Sequence, residues 1–258
     1  MMKRYAIELT YNGSHFYGWQ RQPRETSVQE VIEIQLSKLN AGKIIPIVGC
    51  GRTDTGVHAS YYVAHFDLEQ SIDTKQWQYK LNKMLPNSIA ILGFQEVDAA
   101  FHARFSATQR TYHYFVHQKK DPFQATSLFH PQALDVEAMN RAAQQLLGTQ
   151  DFTSFSKLHT DVKTNICTIS NAKWYQQGEK WFFEITADRF LRNMVRAVVG
   201  TLLEVGQGKI SEKEITTIIQ AQDRGAAKLS VPAHALFLCD IKYPETLFQG
   251  IHLNQLSV

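Results

Sequence analysis

The order of its hydrophobic periods limits most how this chain can fold. "RYAIELTYNG" alternates apolar and polar residues like a strand and ends at a turn, Asn12-Gly13. "SVQEVIEIQLSKLNAG" predicts a helix. Ser27 and Glu30 have capping-box spacing, Val28, Val31, Ile32, Leu36 and Leu39 share a face, and Gly42 suits the stop. "IIPIVGC" and "YYVAHFDLE" read as strands, "DTKQWQYKLNKMLP" as a helix closed near Pro86, and "SIAILGFQEVD" as a strand. The pattern then recurs. "RTYHYFVHQ" is a strand, and "DVEAMNRAAQQLLG" is a helix with Asp135 as cap and Gly148 as stop. "CTISNAKWYQQGEKWFFEITAD" is a hairpin turning near Gln177-Gly178. "RFLRNMVRAVVGTLLEVG" is a long helix, "SEKEITTIIQAQ" a shorter one, and "HALFLCDIKYP" a final strand.

Strand-helix-strand-strand-helix-strand, twice, predicts an α+β fold of two ferredoxin-like β-α-β-β-α-β halves. Each half carries a mostly antiparallel sheet with helices on one face. The sheets either join edge to edge or face each other across a cleft. Residues 1–105 form the N-terminal half and residues 106–258 the C-terminal half. Residues 117–134 and 154–165 read as long loops, which in compact domains are often functional.

A length of 258 residues gives each half enough chain for a core, and 44% hydrophobic with 20% charged residues reads as globular. The net charge of +3 permits an acidic partner without demanding one. Cys50, Cys167 and Cys239 lie far apart, which suggests a reducing compartment and no disulfide framework. No run approaches the roughly 20 apolar residues of a membrane helix. A cytoplasmic chain is expected.

Four stretches carry groups suited to chemistry. In "VGCGRTDTGVHAS", residues 48–60, Gly49, Gly51 and Gly56 admit close approach of a ligand, and Arg52 suits a phosphate or a base. Asp54 is the single carboxylate there; the plain alternative is a turn in which it caps a backbone N–H. No Lys-Ser/Thr pair follows the glycines, so this is not a Walker A loop. In "FHARFSATQRTYHYFVH", Phe101, Phe105, Tyr112, Tyr114 and Phe115 interleave with Arg104, Arg110 and three histidines. That mixture suits RNA, with cations on phosphates and rings on bases, or else a strand with its aromatics in the core. The histidines lack the acidic or cysteine partners of a metal site. In "ADRFLRNMVRAVVG", the i, i+3, i+7 spacing puts Arg189, Arg192 and Arg196 on one face of the expected helix. An arginine on a helix so apolar needs a partner, and Asp54 is a candidate. The fourth stretch, "LTYNGSHFYGWQRQPR", packs aromatics and arginines, Arg21 among them, around Gly13 and Gly18.

Taken together, "YNGSHFYGWQRQ", "GRTDTGVHA", "LNKMLP", "FHARFSATQRTYHY", "FLRNMVRAVVG" and "VPAHALFL" resemble, in order, the TruA-type tRNA pseudouridine synthases. The resemblance implies isomerisation of uridine to pseudouridine at positions 38, 39 and 40 of the tRNA anticodon arm. It implies a homodimer with a basic cleft in each chain, no cofactor and no metal. By the same match Asp54 is the catalytic aspartate, Tyr112 the active-site tyrosine and Arg196 the partner of the aspartate. Arg52 helps displace the target base, and Leu236 lies against it. Arg21, Arg104, Arg110, Arg189 and Arg192 are further candidates for RNA contact. Ala235 stands where such enzymes usually have glycine, Cys167 where they often have arginine, and Thr55 where alanine is common.

The reaction breaks the N1 glycosidic bond, turns the base and joins C5 to the ribose. Asp54 could attack the sugar, attack the base, or take a ribose proton. Tyr112 could accept the C5 proton or pack on uracil. The target must leave its stack, at a cost of a few kcal/mol. The main rival is a non-catalytic RNA-binding protein with two RRM-like halves, which gives Asp54 no role. A glycosidase would want a second carboxylate.

Overall fold

A computed structural model describes residues 2–157, 163–245 and 247–248. Its strands are β1 Lys3–Tyr11, β2 Val48–Gly49, β3 His58–Leu68, β4 Ile89–Val97, β5 Gln109–His117, β6 Leu128–Phe129, β7 Gly148–Asp151, β8 Ile166–Gln177, β9 Lys180–Ala187 and β10 Leu236–Lys242. Its α-helices are α1 Val28–Leu39, α2 Thr74–Met84, α3 Val136–Gln144, α4 Met194–Gly206 and α5 Glu214–Ala221. Two compact units result. Of the described residues, one holds those up to Thr108 and those from Leu238 to Phe248, and the other holds those between Gln109 and Phe237.

In the first unit β1 is central, antiparallel to β4 on one side and to β3 on the other. Both β2 and the Leu238–Lys242 part of β10 lie beyond β3. Tyr5, Ile7, Leu9 and Tyr11 of β1 are buried at the spacing of two that the sequence predicts. α1 starts where Ser27 accepts a hydrogen bond from the Glu30 N–H (3.2 Å), and it buries Val28, Ile32 and Leu36. The expected reciprocal half of the capping box is absent, because the Glu30 carboxylate lies 3.5 Å from Arg21. The predicted strand "IIPIVGC" shrinks to Val48–Gly49. Just before it, the Ile47 N–H is taken by the buried Glu33 carboxylate (3.0 Å) instead of a neighbouring strand. α2 begins at Asp73, which caps the Gln76 N–H (3.0 Å), and its Asn82 clips both backbone groups of Ile91 in β4 (2.8 Å each).

In the second unit the strand order is β5-β9-β8-β7, antiparallel throughout, with β6 parallel to β5. Gly178, at φ 62°, closes the β8–β9 hairpin where the sequence places it. Asp135 caps α3 through the Ala138 N–H (2.9 Å). That helix stops at Gln144, and Gly148, at φ 89°, instead opens β7, a strand the periodicity does not announce. Of α4, every residue is buried except Arg196 and Glu204.

The predicted long helix over 189–206 is corrected. α4 begins only at Met194, because Asn193 adopts a left-handed conformation (φ 68°, ψ 0°) and breaks the helical path. Its side-chain amide donates to the Ser230 hydroxyl (2.6 Å). Arg189 and Arg192 therefore precede the helix and form no ladder with Arg196. Of the expected loop over 154–165, residues 158–162 lie outside the described residues.

His65, buried in β3, accepts a hydrogen bond at Nδ1 from the Ala103 N–H (3.1 Å). Burial, followed by the positive charge of Arg4, lowers its pKa to about 4. An unfolded histidine binds its proton near 6.5, so the folded chain loses stability as pH falls from about 6.5 toward 4. Urea unfolding at pH 7.5 and 4.5 should show this loss smaller by on the order of 2–3 kcal/mol in His65→Gln than in the wild type. Equal losses in both proteins would contradict the assignment.

Candidate active site

Asp54 sits half-buried in the loop that joins β2 to β3. A second loop, residues 12–20, lies against it backbone to backbone. Trp19 N–H donates to Thr53 O (3.3 Å), and Gly56 N–H donates to Phe16 O (3.3 Å). Side chains complete the clamp. Tyr11 and Thr53 share a buried hydroxyl–hydroxyl hydrogen bond (2.8 Å), and the Gly13 N–H reaches Nδ1 of buried His58 (3.0 Å). The Tyr62 hydroxyl donates to the Gly51 carbonyl, and its ring stacks on Trp19 with centroids 4.0 Å apart. Within the loop, Val57 N–H closes a turn onto the Asp54 carbonyl (3.1 Å).

Two glycines make this approach possible. A Cβ at Gly13 would collide with the Val57 carbonyl, and one at Gly18 with the Thr53 carbonyl. Gly18 also holds φ +87°, a conformation that side chains resist. Arg52 is exposed, and its Nε donates to the Gln20 side chain (3.1 Å) across the two loops. The loop thus keeps its backbone fixed while Arg52 stays at the surface.

The other candidates of the first unit divide. Arg21 is exposed but lies 3.5 Å from Glu30 and 3.7 Å from Glu33, so carboxylates of α1 hold it. Arg104 is exposed, with its guanidinium 5.5 Å from the centre of the Phe105 ring.

In the second unit Tyr112 is half-buried on β5, opposite Ile185, and Phe190 meets its ring edge-on at 5.1 Å. Arg196, half-buried in the first turns of α4, donates from Nε to the Val231 carbonyl (2.8 Å), while Val231 N–H returns a bond to Arg196 O (3.2 Å). This double clip aligns the guanidinium. The neighbouring Tyr114 hydroxyl donates to Pro232 O (3.0 Å); burial pushes its pKa well up, with the Arg196 charge acting the other way. Gly200 lets the chain cross α4 here, because a Cβ would overlap the Leu229 carbonyl.

Leu236 is buried at the start of β10, after the short 3-10 turn Ala233–Ala235. Ala235 is fully buried and its φ is not positive, so alanine fits where the resemblance has glycine. Cys167 is also buried, and burial raises its thiol to about 12. Arg110 and Arg189 converge on Asp188: Arg110 Nη1 donates to its carbonyl (2.9 Å) and the Arg189 N–H to its carboxylate (2.7 Å). Arg189 Nη1 also reaches Thr164 O (3.1 Å). Arg192 is exposed, and its carbonyl accepts from the Lys157 N–H (3.0 Å).

Sequence reasoning missed the supports Tyr11, Thr53, His58 and Tyr62, and the Val231 carbonyl that orients Arg196. Gly13 and Gly18, with Trp19 beside them, were the available signal for the first group. The Val231 carbonyl leaves no residue-type signature.

Comparison with known proteins identifies the family of the chain. The profile of the tRNA pseudouridine synthase family matches residues 8–106 and 142–244. Arg21, Arg52, Asp54, Arg104, Arg189, Arg192, Arg196 and Leu236 fall inside the match, and Arg110 and Tyr112 lie between its two parts. The chain is 54% identical over 249 residues to tRNA pseudouridine synthase A of Parabacteroides distasonis, covering 96% of this chain and 98% of that one. It is 51% identical to the protein of that name in Bacteroides thetaiotaomicron (96% and 93% covered). For the Bacillus subtilis protein the identity is 41% (93% and 99% covered). The chain belongs to the tRNA pseudouridine synthase family.

The clamp makes a specific stability prediction. Gly13→Ala should cost about 1–3 kcal/mol in urea unfolding, because backbone must move. Gly51→Ala, where a Cβ meets nothing within 4 Å, should cost less than about 0.5 kcal/mol. Similar costs at both positions would show that the two loops are not held in contact.

Proposed function

We propose that this chain isomerises uridine to pseudouridine at positions 38, 39 and 40 in the anticodon arm of tRNA, with Asp54 as its catalytic group. The observation that carries the reading is the fixed loop around Asp54, in which a carboxylate is presented half-exposed on a backbone clamped by Gly13, Gly18, Tyr11 and Tyr62. Such pre-organisation is what a group acting on one ribosyl bond requires.

The reaction balances without a co-reactant. The C1′–N1 bond breaks, the base turns within the site, a C1′–C5 bond forms, and the C5 proton leaves while N1 gains one. Nothing is hydrolysed, so no second carboxylate is needed to activate water. Arg196, aligned by the Val231 carbonyl, is the basic residue of the reaction, and Tyr112, steadied by Phe190, meets the uracil ring. Arg52 takes the space the flipped base leaves, and Leu236 lies against that base. Arg21, Arg104, Arg110, Arg189 and Arg192 meet the RNA, Arg21 from an exposed position beside the carboxylates of α1.

The strand order β4-β1-β3, with β2 on the far side of β3, supports reading the first unit as a ferredoxin-like half. The β5-β9-β8 order, with Asn140 of α3 bonded to the Trp174 backbone in β8, supports the same reading of the second. The enzyme works as a homodimer in the cytoplasm. Among the described residues no helix is long and apolar enough to cross a membrane, and Cys50, Cys167 and Cys239 are free thiols.

Release of tritium from tRNA labelled at uridine C5 tests this directly. The wild type should release label in proportion to pseudouridine formed. Asp54→Asn should bind tRNA with unchanged affinity and lose release by on the order of 10³-fold or more. Full activity in Asp54→Asn overturns the mechanism. A wild type that binds tRNA but releases no label would instead mark an RNA-binding protein. Log affinity should also fall linearly with log salt.

A further inference from the structure

Residues 98–106 form a loop that is anchored almost residue by residue, yet its tip holds an aromatic ring out to solvent. Arg4 grips Asp67 with two nitrogens (2.7 Å each) and donates from Nη1 to both Ala99 O and Phe101 O (2.7 Å each). Ala103 is held at both backbone ends, by His65 Nδ1 (3.1 Å) and by the Tyr243 hydroxyl (2.7 Å). The Phe101 ring packs on Tyr243 (5.3 Å). Ser106 closes the loop onto His102 through its N–H (2.8 Å) and its hydroxyl (3.0 Å). His102 Nδ1 accepts from the Arg104 and Phe105 N–H groups (3.2 and 3.3 Å). All of these residues belong to the first unit.

On this frame Phe105 is 75% exposed. The His102 ring lies 4.4 Å from it at 34°, and the Arg104 guanidinium 5.5 Å from its centroid. Behind His102 stands the His65 ring, 4.8 Å away. Burial lowers the pKa of both imidazoles, so at neutral pH they form an uncharged backing for the ring. A phenylalanine exposed by accident would sit on a loose loop, free to fold back. This one is fixed, flat and flanked by a cation, which is the arrangement that stacks an unpaired base beside a phosphate.

We propose that Phe105 is a stacking platform for an unpaired nucleobase of the tRNA substrate, with Arg104 meeting the adjoining phosphate. This rests on the function proposed above and assigns it a binding group separate from Asp54. Phe105 positions RNA and takes no part in bond breaking. The guanidinium and the planar backing favour a base over an apolar protein side chain, which would gain nothing from the charge.

Three substitutions and one spectroscopic signal test this. Phe105→Ala and Phe105→Leu should each weaken tRNA binding roughly tenfold, while Phe105→Trp should bind within about twofold of the wild type. kcat at saturating tRNA should be unchanged in all three. Trp19, Trp77 and Trp174 are buried and Trp181 is half-buried, so the indole at position 105 is read as the difference from the wild type, and tRNA should quench fluorescence beyond the wild-type change. Wild-type affinity in Phe105→Leu would assign the ring an apolar contact and overturn the stacking. So would unchanged affinity in Phe105→Ala, or no added quenching in Phe105→Trp. If the wild type binds tRNA but releases no C5 tritium, the proposed reaction fails while the affinity series still decides the platform.

Discussion

Two stretches of backbone pass so closely at Gly13 and Gly18 that no side chain fits between them, and the geometry of the Asp54 loop depends on that contact. A loop of this length would otherwise sample many conformations, at roughly 1–2 kcal/mol of conformational entropy for each residue fixed. Here the ordering is offset by buried partners on several sides: Thr53 held by Tyr11, Gly51 by Tyr62, and Gly13 by His58. The stacked Trp19 and Tyr62 rings form the floor. Their position is in turn set by β1 and β3, the two best-buried strands of the first unit.

That construction fits a reaction with one carboxylate. A glycosidase divides acid and base work between two acids and leaves room for water. An isomerase returning the same base to the same sugar must do the opposite, holding the base while a single group acts. In the second unit the same economy is visible at Arg196, whose guanidinium is aligned by the Val231 carbonyl instead of a nearby acid of its own helix. Almost everything else on α4 is buried, so this arginine is the helix's polar outlet near its N-terminus.

Much of this was legible in the sequence, for identifiable reasons. Spacing of two in "RYAIELTY", the caps Ser27 and Asp135 and the turn at Gly178 act locally, and each lies where the periodicity puts it. The failures came where a distant partner overrides local preference. "RFLRNMVR" has helical spacing, but Asn193 turns left-handed and meets Ser230, 37 residues on. Ile47 looks like strand, but a helix glutamate takes its N–H. In the site, Asp54 and the arginines could be named by chemical type. The tyrosines that hold the loop could not, since a buried tyrosine in a strand reads as core until its hydroxyl is followed to Gly51 or Thr53.

The central claim is that the contact between the two loops positions Asp54 for chemistry. The most direct test is the single-turnover rate of pseudouridine formation in Gly18→Ala, at saturating tRNA and at a temperature where the variant still unfolds cooperatively above the assay. The account predicts a rate about 100-fold below wild type, the cost of displacing a reacting group by about an ångström. A folded Gly18→Ala enzyme that turns over at the wild-type rate would contradict it.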